Sequence, residues 1–194
     1  MILRTIAIWL LLALCGSAAF VQGLPDNAPM HAVAAALRPG QFRWSTGDVG
    51  GRPDVVVSLV LQRVYVYRTG ALVGVAAVST GRLGKTTPSG EFSILQKARW
   101  HRSNLYSNAP MPFMQRLTWD GIALHAGHNP GYPASHGCIR LPPAFARDLF
   151  TIVPIGARVT ITDYPAELPV RLEVEDFGIG LGEPRLEYAP DAFF

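Results

Sequence analysis

The chain has 194 residues, with 17 Lys+Arg, 14 Asp+Glu and only 2 Cys. Once an N-terminal leader is removed about 170 residues remain, which suits one domain with an adequate core, and nothing in the pattern points to an internal repeat or a second domain. Charge is uneven: residues 24–163 hold 14 Lys+Arg against 7 Asp+Glu, a net +7, so this body either attracts a carboxylate-rich polymer or simply carries solvated surface charge.

Residues 1–23 read as a secretory signal. Arg4 supplies a positive start, Ile6 to Leu14 an apolar run, and Ser17-Ala18-Ala19 a small-residue cleavage site. The run falls short of the ~20 apolar residues that span a bilayer, so the expectation is export to the periplasm or cell envelope, with no stable membrane insertion after cleavage. Cys15 follows Leu14, which is bulkier than lipid-attachment processing prefers, and it is expected to leave with the signal. Residues 24–52 are a lead-in to the domain. Within them Ala and Leu predict a short helix over 31–37, stopped by Arg38-Pro39-Gly40, and His31 reads as a surface histidine.

From Asp54 the chain turns to strands. Residues 55–61, 64–67 and 72–78 are rich in branched and aromatic side chains, with Thr69-Gly70 as a hairpin turn. Residues 80–90 hold three glycines and a proline, a loop dense in unusual backbone angles. It is no phosphate cradle: the lysine spacing does not fit, and a strand over 91–95 follows where a helix is needed. Residues 98–119 have no clean period, which is typical of a lid or binding loop. There Met111, Phe113 and Met114 serve either as a wall over a site or as core. Residues 121–124 form a short apolar strand, Pro142-Pro143 opens a helix through Phe150, and 156–162 closes the domain as a strand. The architecture expected is mainly β: a single sandwich or barrel-like domain of mixed sheets over 53–163, with one or two short helices. In the acidic tail, 164–194, Val170, Leu172 and Val174 alternate with charges as an edge strand would, and poor order is expected beyond Phe177.

The chemistry concentrates in residues 124–141. Three histidines (His125, His128, His136) and Cys138 share one Gly/Pro-rich loop, the setting in which catalytic groups tend to sit. With Cys15 gone, Cys138 is the lone thiol of an exported chain; its neighbours argue for a reactive group over an inert core cysteine. An ordinary thiol is mostly protonated near neutrality, so an imidazole or a positive field must raise the thiolate fraction. Backbone N–H groups of Gly137 and Cys138 are candidate oxyanion donors, and Arg140 offers a planar fork for a carboxylate. A rival reading takes His125, His128, His136 and Cys138 as zinc ligands, which would silence the thiol.

Ser135-His136-Gly137-Cys138-Ile139-Arg140-Leu141, preceded by Ala123-Leu124-His125, resembles the signature of the L,D-transpeptidases with a YkuD-type catalytic domain. Val64 to Gly70, Val78 to Arg82 and Thr87 to Phe92 resemble that family's opening strands and Gly-rich turn, so the likeness covers 53–162. It implies Cys138 as nucleophile, His125 as general acid/base with the Ala126 carbonyl fixing its tautomer, and His136 as a ring that shapes the site or serves as alternative base. From the residues' own chemistry, Gly137 is expected to give an oxyanion N–H, and Arg140, Ser135, Met111, Phe113 and Met114 to contact substrate. The resemblance also implies the substrate, peptide stems of peptidoglycan, with a second stem, a wall-anchored lipoprotein or water as acyl acceptor. No metal, cofactor or nucleic acid is called for. A wall-binding module without catalysis is the remaining alternative.

Overall fold

The computed structural model describes residues 27–45, 47, 49–105 and 108–165. In chain order the elements are α1 (Met30–Ala36), β1 (Phe42–Trp44), β2 (Pro53–Ser58), β3 (Arg63–Arg68), β4 (Ala71–Ala77), β5 (Gly90–Ser93) and β6 (Gln96–Ala98). Then follow β7 (Met114–Arg116), β8 (Ala123–Ala126), β9 (Ile139–Leu141), α2 (Pro143–Ile152) and β10 (Arg158–Thr162). They form a six-stranded sheet, β1-β4-β3-β2-β10-β5, and a four-stranded sheet, β6-β7-β8-β9. Both are mixed, with β2–β10 and β8–β9 parallel and their other pairs antiparallel. The mainly β, mixed-sheet expectation holds.

The near-continuous apolar runs of β2 and β3 follow from burial on both faces. Val55, Val57, Val64 and Val66 point into the main core with Leu124, Ile139, Phe145 and Leu149, so that core lies between the two sheets and α2. On the other face Val56, Tyr65, Tyr67 and Val75 pack against Val33, Ala34 and Leu37 of the α1 segment. A strand buried on both sides has no polar stripe to show.

Several boundaries depart from expectation. Val60 and Leu61 were expected to continue the second strand, but it ends at Ser58, whose hydroxyl accepts the Leu61 N–H at 3.2 Å; Gln62 then turns with φ +51°. Val60 is 58% exposed in that turn. The lead-in, expected as a linker around one helix, also supplies β1, paired along β4 from Phe42↔Ala76 to Trp44↔Gly74. Residues 98–105 and 108–116 form the arms of a long hairpin: the β6–β7 ladder continues outward through Phe113 N–H to Arg99 O (2.9 Å), Met111 N–H to His101 O (2.9 Å) and Ser103 N–H to Ala109 O (2.9 Å). The Ile139–Leu141 strand was not expected at all. The signal, Cys15, the alternating tail segment and the residues beyond Phe177 lie outside the described residues.

Helix α2 opens after Pro142, with Pro143 in its first turn, where a missing N–H costs nothing. Its end is held by Lys97, whose Nζ donates to Phe150 O and Val153 O at 2.6 Å each, a cation placed on carbonyls that the helix itself leaves unbonded. Through this contact the first strand of the small sheet anchors the helix beneath the site.

Candidate active site

Strands β8 and β9 set the site. Their parallel register places His125 opposite Arg140, with Leu124 opposite Ile139 in the core, so His125 and Arg140 share the face turned away from the core. His125 lies inside the strand and is 7% exposed. Its Nδ1 stands 2.8 Å from Ala126 O. A carbonyl only accepts, so Nδ1 carries the proton and Nε2 is left bare as the basic nitrogen.

Cys138 immediately precedes β9 and is half-buried against Met111, Met114 and Ala123. Its Sγ donates to Gly121 O at 3.3 Å. Burial pushes the thiol above its ordinary value, with a bond from the Ala123 backbone and the charges of Arg140 and Arg116 pulling the other way. Burial likewise drives His125 down to about 4, resisted by the Ala126 carbonyl and reinforced by Arg140 and His101. The resting pair is therefore neutral thiol and neutral imidazole. Desolvation here outweighs the positive field of Arg140 and Arg116.

The loop before Cys138 is braced from within. Ser135, 1% exposed, accepts the Gly137 N–H at 3.0 Å and donates to Cys138 O at 2.5 Å. Two residues given roles from the sequence are engaged here. Gly137 N–H is bonded to Ser135 Oγ, and the Ser135 hydroxyl braces the loop while Ser135 also lines the cleft. The Cys138 N–H, by contrast, has no partner among the described residues. His136 is half-buried at the rim; slight desolvation and the charges of Arg82, Arg140 and Lys85 hold its ring below the ordinary value. His128 is exposed, as expected of a surface histidine. Among the described residues no three His, Cys, Asp or Glu side chains converge as a metal-binding group, so the four proposed zinc ligands are not assembled.

His125, His136, Cys138 and Arg140 line one cleft of about 1110 Å³. The hairpin adds Trp100, Met111, Phe113 and Met114 to its lining. Wall and core turn out to be the same residues: Met114 is 0% and Met111 8% exposed beneath the thiol, and both border the cleft. Phe113 is steadied at φ +55° by Phe150, at 5.9 Å between ring centroids. Sequence reading missed Arg116 and the exposed Trp119 in this lining. The alternation that puts Met114 under the thiol puts Arg116 on the same face. It was illegible because this strand has only three residues.

Comparison with known proteins agrees with this geometry. The family described as the L,D-transpeptidase catalytic domain, YkuD, matches residues 52–161. YqjB of Bacillus subtilis, provisionally named an L,D-transpeptidase, is 30% identical over 139 residues, 62% of this chain and 78% of that protein. A Bacillus licheniformis protein provisionally named L,D-transpeptidase YkuD is 32% identical over 114 residues, 56% of this chain and 64% of that one. Among solved structures, an L,D-transpeptidase from Xylanimonas cellulosilytica superposes with a TM-score of 0.54 at 27% identity, covering 69% of this chain and 68% of that one. One from Stackebrandtia nassauensis gives 0.54 at 26% identity, and there the match spans only 58% of the solved chain.

Proposed function

Because the chain belongs to the L,D-transpeptidase catalytic-domain family, YkuD, we propose that it is an exported cysteine acyltransferase acting on the peptide stems of peptidoglycan. The observation that carries this reading is one cleft holding the Cys138 thiol and a His125 ring whose tautomer is fixed by Ala126 O. A thiol nucleophile and a base of set orientation are the minimum that acyl transfer through a thioester needs.

The first half-reaction cleaves the bond joining a third-position diamino acid to a terminal D-alanine. The thiol turns from Gly121 O toward His125 Nε2, gives up its proton there as sulfur bonds to the carbonyl carbon, and the carbonyl oxygen takes the negative charge. Collapse breaks the carbon–nitrogen bond, the imidazolium returns its proton to the departing D-alanine amine, and a thioester on Cys138 remains. Since both groups rest neutral, His125 acts as a general base during attack and no ion pair need exist beforehand. Arg140, half-buried and without an ion pair among the described residues, is suited to hold a substrate carboxylate in a two-point bond.

In the second half-reaction an amine attacks the thioester, passes a proton to Nε2 and frees the thiol, which takes that proton back. An amine of a second stem gives a cross-link between two third positions; an amine on a lipoprotein anchors it to the wall; water makes the protein a carboxypeptidase. Incubating the mature protein with disaccharide-tetrapeptide and weighing the products tests the reading. Cross-linked dimer with free D-alanine names the transferase, shortened monomer with free D-alanine names the hydrolase, and failure to release D-alanine or to form a carbapenem adduct overturns both. Export, inferred from residues 1–23, is checked by locating the protein after cell fractionation.

A further inference from the structure

Thr87 is 4% exposed and lies 50 positions before Gly137, yet its hydroxyl donates to Gly137 O at 2.7 Å. The same oxygen accepts the Gly81 N–H at 2.8 Å, so the hydroxyl has its hydrogen and a lone pair both assigned. The turn that delivers it is tight. A Cβ on Gly81 would come within 2.1 Å of Lys85 O and 2.6 Å of Thr87 N, and only glycine lets the loop close this far.

Gly137 O and the N–H of Cys138 belong to one planar trans peptide group, in which the carbonyl and the N–H point in opposite directions. Pinning the oxygen on Thr87 therefore turns the Cys138 N–H away from the 80–87 loop. Ser135 fixes the neighbouring groups by taking the Gly137 N–H and the Cys138 carbonyl. Gly137 itself sits at φ +118°, with its Cα facing Ile122 so closely that a Cβ would lie 2.6 Å from Ile122 Cδ1. Of the N–H and C=O groups of Gly137 and Cys138, the Cys138 N–H is the one without a partner among the described residues.

We infer that Thr87 is a positioning residue for acyl transfer: by holding Gly137 O it aims the Cys138 N–H at the oxygen that becomes negative when the thiol attacks. This rests on the acyl-transfer reading above and adds to it a residue from outside the histidine–cysteine loop. Thr87 touches neither substrate nor sulfur; it acts through one peptide plane.

The test separates oxyanion stabilisation from thiol reactivity. Two rates are measured on wild type, Thr87→Val and Thr87→Ser: acylation of Cys138 by a carbapenem, which passes through an oxyanion, and alkylation by iodoacetamide, which does not. Thr87→Val should lower acylation by about 10- to 100-fold, less than the roughly 10²–10³ of a donor deleted outright, because the N–H is misaimed and not removed. Its alkylation should stay within about twofold of wild type, and Thr87→Ser, which keeps the hydroxyl, should restore acylation. Should Thr87→Val not fold, Thr87→Ala is read in its place. Equal loss of both rates makes Thr87 a general support of the loop and overturns the inference, as does unchanged acylation. A wild type that alkylates but never acylates brings down the acyl-transfer reading itself, and the inference with it.

Discussion

His125 is tied to the carbonyl of its own neighbour, Ala126, by a bond of 2.8 Å from Nδ1. The carbonyl does the work a carboxylate does in other histidine bases: it fixes the tautomer and the ring's direction. It carries no full charge, however, so it cannot hold a proton on the buried ring, and desolvation lowers the imidazole to about 4. A base of that kind is ready over a wide acidic range. His125→Ala should slow acylation of Cys138 by roughly 10²–10⁴-fold, the span of positioned acid–base catalysis, while His136→Ala should be milder. In wild type the acid limb of acylation rate against pH should fall near 4; a limb near 6.5 would mean that His125 is not the base or is not buried during attack.

Stability carries the same signature. In the unfolded chain this imidazole titrates near 6.5, and in the folded protein near 4, so between those values the unfolded state binds more protons. Folding free energy should therefore be fully retained above about 6.5 and decline as pH falls toward about 4. Each tenfold change in proton affinity is worth about 1.36 kcal/mol, so the gap between the two states amounts to about 3 kcal/mol. Chemical unfolding of wild type and His125→Ala across this window measures it. Equal slopes for the two proteins would show that the ring is charged in the fold.

The thiol should behave in the opposite sense. Burial raises Cys138 above its ordinary value, so iodoacetamide alkylation should keep climbing past the pH of about 8.5 at which a free thiol is half-ionised, with no plateau on the acid side. A plateau near neutrality would reveal a preformed thiolate–imidazolium pair. Cys138→Ala should abolish acyl transfer and shift the unfolding midpoint little, since the small, half-buried side chain fills little core.

Ser135→Ala probes the brace. The substitution strips both the Gly137 N–H and the Cys138 carbonyl of their partner in a buried turn, at about 1–3 kcal/mol for each group left unmet by water. Both acylation and stability should drop. A variant as stable and as fast as wild type would remove Ser135 from the list of supports.

What could be read in the chain and what could not divide along physical lines. Val55 to Val57 and Val64 to Tyr67 announced themselves because burial on both faces of the large sheet demands unbroken β-branched and aromatic sequence, and the run ending at Thr162 did so by alternation, with Val159 and Ile161 in the core. Cys138 and His125 were legible because their loop concentrates thiol, imidazole and glycine with an ordered set of motifs upstream. The roles of Ser135, Gly137 and Thr87 were not, since they depend on which acceptor each donor finds, in one case across 50 residues of chain. The hairpin within 98–119 hid its period behind an arm only two strands wide, and β9 was too short, at three residues, to show alternation. Val60 and Leu61 look like strand residues by composition alone; the Ser58 hydroxyl and the left-handed Gln62 turn them out to solvent.

The lead-in gives the last prediction, because it holds a part of the core that composition does not reveal. Trp44, in a three-residue strand, stacks on Phe145 of α2 with 4.5 Å between ring centroids and 12° between planes. It lies flat over Gly74 of the paired strand, where an added Cβ would fall 2.1 Å from Trp44 Cζ3. Trp44→Ala should cost about 3 kcal/mol, the low end for a large aromatic because Trp44 is only half-buried. Gly74→Ala should also destabilise, since the ring must lift off both the strand and Phe145. The two are not independent. In the double variant the added methyl group meets no indole, so the combined loss should be smaller than the sum of the single losses by about 1 kcal/mol or more, as expected for residues in contact. Urea unfolding of wild type, the two single variants and the double variant measures this coupling. Simple additivity would mean that the Trp44 ring does not rest on Gly74 and that β1 contributes nothing to the main core through it.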